Sequence, residues 1–249
     1  MSGRKTIRGQ SSGLFEPIDK NVLIRSTIGL KNAGGSCYMA SIIQILIHSE
    51  KFLDFFNKYK TGKNPLCIFF NKFLKKIENA NHNNSNTYYK YKCECNYIEI
   101  KNLSDFYHSI NSKFKGTKGN NPMTFFIEFI SHLDKNILSL FMGKKQIFLN
   151  GYKEQYEEDF IFYLITLDKN NKEISDVLLG DNEKELENEN DYKIKEKIKK
   201  LPEIMVINLE IDNIDYSGED SIFIQTSNNM TIEYKLKSIN SYTNVHSIA

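Results

Sequence analysis

The chain has 249 residues, with 33 basic and 31 acidic side chains, a formal net charge of +2 and four cysteines. A nearly balanced charge argues against nucleic acid as a partner, and no apolar run approaches the roughly 20 residues that cross a bilayer. The N-terminus lacks the apolar core of a secretory signal, and four cysteines in no regular framework suit a reducing compartment. A soluble cytoplasmic or nuclear protein is therefore predicted.

The first 28 residues show no strong periodicity and are predicted to form a loose lead-in, whereas residues 29–47 carry the most informative pattern. There a glycine-rich turn precedes an amphipathic helix, and apolar residues recur at helical spacing at Met39, Ile42, Ile43, Leu46 and Ile47. Ser36 is predicted to cap this helix with its hydroxyl group. Cys37 would lie in the first turn, where the helix dipole and unpaired N–H groups favour the nucleophilic thiolate. The alternative for Cys37 is a small buried hydrophobic residue.

Helical patterns continue through the first half of the chain. Residues 51–59 and 66–77 each carry an apolar side, and the asparagine-rich residues 79–86 are predicted to form a connector. Asn121 suits a helix cap and Pro122 suits the first helical position, so together they predict the start of the clearest long helix.

The second half of the chain changes to strand patterns. Residues 147–167 predict a hairpin, and residues 168–200 predict an exposed insertion with a short helix over 192–198. Residues 201–211 and 231–239 alternate as half-buried strands do. The second of these strands has three apolar residues on one face: Ile232, Tyr234 and Leu236.

The sequence predicts no metal site and no cofactor. Cys93 and Cys95 are separated by one residue and no second pair follows, whereas structural zinc usually takes four ligands in two pairs spaced by two to four residues. The remaining candidate ligands have no supporting spacing: Cys67, His82, His108 and His132.

Residues 29–47 resemble the cysteine box of the ubiquitin-specific proteases, Gly-Leu-x-Asn-x-Gly-Asn-Thr-Cys-Tyr-x-Asn-Ser-x-x-Gln. The matching residues are Gly29, Leu30, Asn32, Gly34, Cys37, Tyr38, Ser41 and Gln44, and the departures are Gly35, Ser36 and Ala40. The resemblance implies that Cys37 attacks the carbonyl group at the C-terminus of ubiquitin and that the side-chain amide of Asn32 donates to the resulting oxyanion. The alternative for Asn32 is a turn residue that bonds its own backbone.

Three later stretches also resemble this family. Residues 123–134 look like a helix that packs beside the catalytic helix, and residues 201–211 look like the family's Leu-Pro-x-x-Leu-x-x-x-Leu strand. The histidine box is matched by Tyr234, Leu236, His246 and Ala249. This match implies that His246 is the general base, the alternative being an exposed histidine near the chain end.

The resemblance implies an α+β, papain-like cysteine peptidase, with a helical lobe (thumb) over about residues 29–142 and an antiparallel β lobe (palm and fingers) over about 143–249. The expected activity is hydrolysis of the bond after the C-terminal glycine of ubiquitin, with ubiquitin or ubiquitinated proteins as partners. Val245 and Ser247 replace the family's glycine and tyrosine, and the Asp or Asn that orients the imidazole in the family has no counterpart before Ala249. A truncated C-terminal end is therefore expected, and a catalytically inactive ubiquitin-binding module is the alternative.

Overall fold

The computed structural model describes a large part of the chain, in segments with gaps between them. The described residues are 17–24, 29–31, 36–60, 62–85, 97–99, 121–149, 154–167, 173–179, 182–184, 194–211, 218–226, 230–236, 241–242 and 247–248.

Helices dominate the described part of the first half, and strands dominate the second. The helices are α1 Lys20–Ile24, α2 Cys37–Ile47, α3 Glu50–Tyr59, α4 Pro65–Ser85, α5 Pro122–His132, α6 Lys135–Leu138 and α7 Ile174–Leu179. The strands are β1 Gly29–Lys31, β2 Tyr97–Glu99, β3 Gly143–Leu149, β4 Glu154–Phe160, β5 Tyr163–Leu167, β6 Asn182–Lys184, β7 Ile194–Lys200, β8 Ile207–Ile211, β9 Ser221–Gln225, β10 Thr231–Lys235, β11 Ser241–Tyr242 and β12 Ser247–Ile248.

Side-chain caps fix where several helices begin. Ser49 accepts a hydrogen bond from the backbone N–H of Phe52 at 3.4 Å and so caps α3. Asn121 accepts from the N–H groups of Met123 and Thr124 at 2.8 and 3.3 Å, and Pro122 takes the first position of α5 as predicted. These caps satisfy N–H groups that have no partner within the helix.

The described residues divide into two compact units, the first formed by those within 1–134 together with 242–248. Its core is rich in aromatic rings from α2, α3, α4 and α5, and the fully buried ones are Tyr38, Phe52, Phe56, Phe70, Phe125 and Phe129. Phe70 meets both Phe56 and Phe129 edge-on, at centroid distances of 5.2 and 5.3 Å. Edge-to-face contacts of this kind stabilise the packing beyond the apolar area that they bury.

Two expectations for this unit change. Residues 17–24, predicted as part of a loose lead-in, pack on the helices through the buried side chains of Ile18 and Leu23. The connector predicted over residues 79–86 is wrong, because α4 continues to Ser85. Asparagine lowers helix stability only by a fraction of a kcal/mol per residue, roughly 0.7 at most, so a long helix nucleated by its apolar face can run through such a stretch.

The second unit contains the described residues within 135–241, and its largest sheet has the strand order β4-β3-β7-β6 with antiparallel pairing throughout. Strands β9 and β10 pair antiparallel, whereas β5 and β8 pair parallel. The core of this unit is formed by Phe160, Tyr163, Ile165, Leu167, Ile174, Leu178, Ile198, Ile222 and Ile224. At the start of β3, Gly143 lies directly under the ring of Phe160, its cross-strand partner.

The predicted helix over residues 192–198 is wrong, because β7 is a strand whose residues 194–198 and 200 pair with β3. Apolar residues four positions apart share a face of a helix and also a face of a strand, so the spacing of Ile194 and Ile198 fits both. Strand β10 begins at Thr231 as predicted but ends at Lys235, and residues 237–239 of the predicted strand lie outside the described residues. Its cross-strand register sets Ile232 and Tyr234 opposite Ile224 and Ile222.

Candidate active site

Cys37 is the first residue of α2 and its side chain is partly exposed. The backbone carbonyl of Ser36 accepts from the N–H groups of Met39 and Ala40 at 3.1 and 2.9 Å, so Ser36 takes the cap position through its main chain. The predicted hydroxyl cap is wrong, since the Ser36 side chain makes no capping hydrogen bond. Its ψ of 14° is far from the extended conformation in which a serine hydroxyl turns back toward the first-turn N–H groups.

The rest of α2 is built into the core. The apolar face predicted from the sequence is buried, with Met39, Ile43 and Ile47 fully inaccessible. The ring of Tyr38, next to Cys37, meets the ring of Phe125 in α5 edge-on, with centroids 5.6 Å apart and an interplanar angle of 76°. The hydroxyl of Ser41 donates to the carbonyl of Tyr38 at 3.1 Å. Cys37 therefore lies at the end of a helix that is held by packing on α3 and α5.

The other two predicted catalytic residues, Asn32 and His246, lie outside the described residues. Their neighbours along the chain are described. Strand β1 ends one residue before Asn32 and contacts α2, and strand β12 begins one residue after His246 and also contacts α2. Two segments from opposite ends of the chain thus meet the helix that begins at Cys37. An α-helix of 11 residues is only about 16 Å long, so both contacts lie within that distance along the helix axis.

Tyr234, which belongs to the histidine-box resemblance, is anchored within the second unit. Its hydroxyl donates to the carbonyl of Pro202, at the start of the segment that leads into β8. Burial, together with the nearby charge of Glu203, raises the pKa of Tyr234 to about 12. The phenol therefore stays protonated at neutral pH and serves as a donor that ties β10 to that segment.

No group of three or more His, Cys, Asp or Glu side chains that could hold a metal occurs among the described residues. Cys67 is fully buried in α4, and His132 bonds the Glu128 carbonyl of its own helix at 2.7 Å through Nδ1. The remaining candidate ligands fall outside the described side chains: Cys93, Cys95, His82 and His108. Within the part that is described, no helix is long and apolar enough to span a membrane.

Residues 28–246 match the model of a protein family described as ubiquitin carboxyl-terminal hydrolase. The chain belongs to this family. This match confirms the family that the cysteine box predicted. Members of the family are, in general, cysteine peptidases that hydrolyse ubiquitin conjugates. No curated protein matches the chain in sequence.

Two solved structures of the SAGA DUB module, which contains Ubp8, Sgf11, Sus1 and Sgf73, hold a chain of similar fold. One, bound to monoubiquitin, aligns with a TM-score of 0.66 at 15% identity and covers 92% of this chain and 61% of that chain. The other aligns with a TM-score of 0.59 at 16% identity and covers 92% of this chain and 59% of that chain. This hydrolase-family chain thus spans about three fifths of the length of those chains. The predicted α+β papain-like fold is confirmed.

Proposed function

We propose that the chain is a deubiquitinating cysteine peptidase that hydrolyses the bond after the C-terminal glycine of ubiquitin through a thioester on Cys37. The main observation behind the proposal is that two strands from distant parts of the chain, β1 and β12, both contact α2. Cys37 begins this helix, and the strands adjacent in sequence to Asn32 and His246 both contact it. A peptidase of this kind needs a nucleophile, a base and an oxyanion donor at one point.

The proposed reaction assigns one role to each of the three residues. His246 accepts the thiol proton of Cys37, and the thiolate sulfur bonds to the carbonyl carbon of the ubiquitin C-terminus. The carbonyl oxygen becomes an oxyanion, to which the amide of Asn32 donates a hydrogen bond. The bond to the leaving amine then breaks as His246 returns the proton to its nitrogen, which leaves a thioester. Water, deprotonated by His246, attacks the thioester and releases free ubiquitin and the Cys37 thiol.

The proposed partner is ubiquitin or a ubiquitinated protein. Family membership supports this assignment, and the similar chain with the TM-score of 0.66 comes from a module bound to monoubiquitin. The proposed compartment is the cytoplasm or the nucleus, where ubiquitin conjugates are formed.

The test is reaction of the purified chain with a ubiquitin that carries a thiol-reactive group at its C-terminus, measured by intact mass. We expect a single adduct, which Cys37→Ala abolishes. The matched control is Cys67→Ser, since Cys67 is buried in α4 and no role is proposed for its thiol. Labelling that persists in Cys37→Ala would refute the assignment of the nucleophile.

A second measurement separates the peptidase from the inactive module. Turnover of a ubiquitin C-terminal amide by the wild type, lost in His246→Ala and kept in His132→Ala, supports the peptidase. His132 suits as the control because its side chain is exposed at the end of α5, where Nδ1 lies 2.7 Å from the Glu128 carbonyl of the same helix. If the folded chain binds ubiquitin but shows neither adduct nor turnover, it is the inactive ubiquitin-binding module. That alternative is considered because Val245 and Ser247 replace the family's glycine and tyrosine next to His246.

A further inference from the structure

The segment of residues 17–24, called the arm, is held on α3 and α4 through both its side chains and its backbone, and its Lys20 pairs with Glu50 and Asp54 of α3 at 2.9 Å each. Three side chains of these helices bind backbone groups of the arm, and they are called the clamp: Asn57, Lys75 and Glu78. The arm also buries Ile18 and Leu23. Backbone groups bound by side chains fix the path of a segment more narrowly than apolar burial alone, because hydrogen bonds constrain direction as well as distance.

Asn57 makes the most specific contact of the clamp. Its Oδ1 accepts from the N–H of Ile18 at 3.1 Å, and its Nδ2 donates to the carbonyl of the same residue at 3.0 Å. One amide therefore satisfies both backbone groups of Ile18, as a neighbouring strand would. Lys60 donates to the same Oδ1 at 3.1 Å and to Asn71 at 2.7 Å, which fixes the orientation of the Asn57 amide.

Lys75 and Glu78 form hydrogen bonds to the backbone of the residues on either side of Ile18. Lys75 Nζ donates to the carbonyl of Pro17 at 2.6 Å, and Glu78 Oε1 accepts from the N–H of Asp19 at 3.3 Å. Glu78 Oε2 lies 2.8 Å from Lys75 Nζ, an ion-pair contact outside good hydrogen-bond geometry. Three consecutive residues of the arm are thus bound by side chains from two helices.

The arm is joined to the candidate active site by a short connection. Only residues 25–28 separate the end of α1 from Gly29, and an extended chain over that interval spans at most about 18 Å. Strand β1 follows, pairs with β2, contacts α2 and ends one residue before Asn32. Because this connection is covalent and short, the position of the arm limits where β1 can begin.

We propose that Asn57 is a positioning residue for the proposed hydrolysis: it anchors the arm, and the anchored arm limits where β1, which ends one residue before Asn32, meets α2. This inference rests on the proposed function. An oxyanion donor acts on the transition state more than on the bound substrate, so loss of the anchor lowers kcat and leaves KM largely unchanged.

The test compares Asn57→Ala with Asn64→Ala in the full chain. Asn64 is the matched control, because it also makes three hydrogen bonds in the first unit, to the N–H groups of Leu66 and Cys67 and to the carbonyl of His132, and none of these involves the arm. Asn57→Asp serves as a second variant, because it keeps the acceptor for the Ile18 N–H but places a carboxylate oxygen, which cannot donate, against the Ile18 carbonyl.

Two readouts are needed, one of which does not depend on activity. Amide hydrogen exchange should rise by about tenfold or more in both the arm and β1 of Asn57→Ala, and in neither segment of Asn64→Ala. For a ubiquitin C-terminal amide, kcat should fall by about tenfold with KM within about twofold, since small misplacement of a catalytic group costs up to roughly 100-fold. Asn57→Asp should also show both effects, because its carboxylate repels the Ile18 carbonyl that the amide of Asn57 binds.

Three results would overturn the inference, and they differ from failure of the proposed function. Faster exchange in the arm with unchanged exchange in β1 would show that the anchor does not reach the site. An equal fall of kcat in Asn64→Ala would show a general loss of stability. An unchanged kcat in Asn57→Ala, despite faster exchange in β1, would show that Asn32 does not depend on the arm. Absence of turnover in the wild type would refute the proposed function. Amide exchange in β1 would then be the readout that decides whether the arm and β1 are coupled.

Discussion

The contact between Tyr38 and Phe125 offers a direct test of what holds α2 in place. Both rings are buried, and the centroid distance of 5.6 Å with an angle of 76° is an edge-to-face geometry. Such a pair contributes about 0.5–1.5 kcal/mol beyond the area that it buries. Phe125→Leu also leaves space beside Phe129, which stacks on Phe125 at 5.5 Å, so the whole substitution is expected to cost about 1–3 kcal/mol.

A double-mutant cycle isolates the contribution of the ring pair. Tyr38→Leu, Phe125→Leu and the double variant are unfolded in urea and followed by far-UV circular dichroism, because the chain has no tryptophan. We expect a coupling free energy of about 0.5–1.5 kcal/mol between the two positions. The rate of Cys37 labelling by the ubiquitin electrophile should fall in both single variants, because Tyr38 follows Cys37 directly.

Additive effects would refute this reasoning. A coupling free energy below about 0.3 kcal/mol would be the value expected for independent sites. The ring contact would then be incidental, and the position of α2 would have to come from its contacts with the remaining core. Tyr38→Phe is the control, since it keeps the ring and therefore the coupling.

Three further predictions concern the rest of the molecule. Burial lowers the pKa of Lys60 to about 8, so the unfolded chain binds this proton more tightly than the folded chain does. Between pH 7 and 10 the free energy of unfolding of the wild type should therefore rise relative to that of Lys60→Met, by on the order of 1 kcal/mol after solvent screening. The same dependence of urea unfolding on pH in both proteins would contradict this. Glu219 accepts hydrogen bonds from the Ser175 hydroxyl at 2.7 Å and from the backbone N–H groups that begin α7. Glu219→Ala should therefore lower the free energy of unfolding in urea by about 1–3 kcal/mol. An unchanged free energy of unfolding would show that α7 is held by packing alone. A Cβ at Gly143 would lie 2.2 Å from the ring of Phe160, so Gly143→Ala should destabilise by about 1–3 kcal/mol, and pairing with Phe160→Leu should restore part of the loss in thermal unfolding.

The first helices were predictable because their signals are local. The apolar face of α2 follows from the spacing of its residues alone, and Asn121 with Pro122 marks the start of α5 through chemistry that acts within one turn. Ser36 shows the limit of such reasoning. Its residue type suits a cap, but its backbone conformation turns the hydroxyl elsewhere, and only the surrounding structure decides that conformation.

Pairing between distant segments could not be predicted in the same way. Lys195 and Lys197 in β7 suggest an exposed helix by composition, yet they lie in a strand that pairs with β3 and β6. The clamp was also missed, because Asn57 looks like an ordinary polar residue of a helix until Ile18 is placed against it. No local pattern relates residues separated by 39 positions.

The candidate active site depends on long-range pairing of the same kind. Strand β1 has three residues and β12 has two, so neither is stable by itself and each takes its position from what it packs against. Both contact α2, whose own position rests on contacts with α3 and α5. A substitution that loosens α2 should therefore disturb the segments next to Asn32 and His246 together. This coupling predicts that Phe125→Leu increases amide exchange in β1 and β12 alike, whereas loss of Asn57 increases it in the arm and β1 but not in β12.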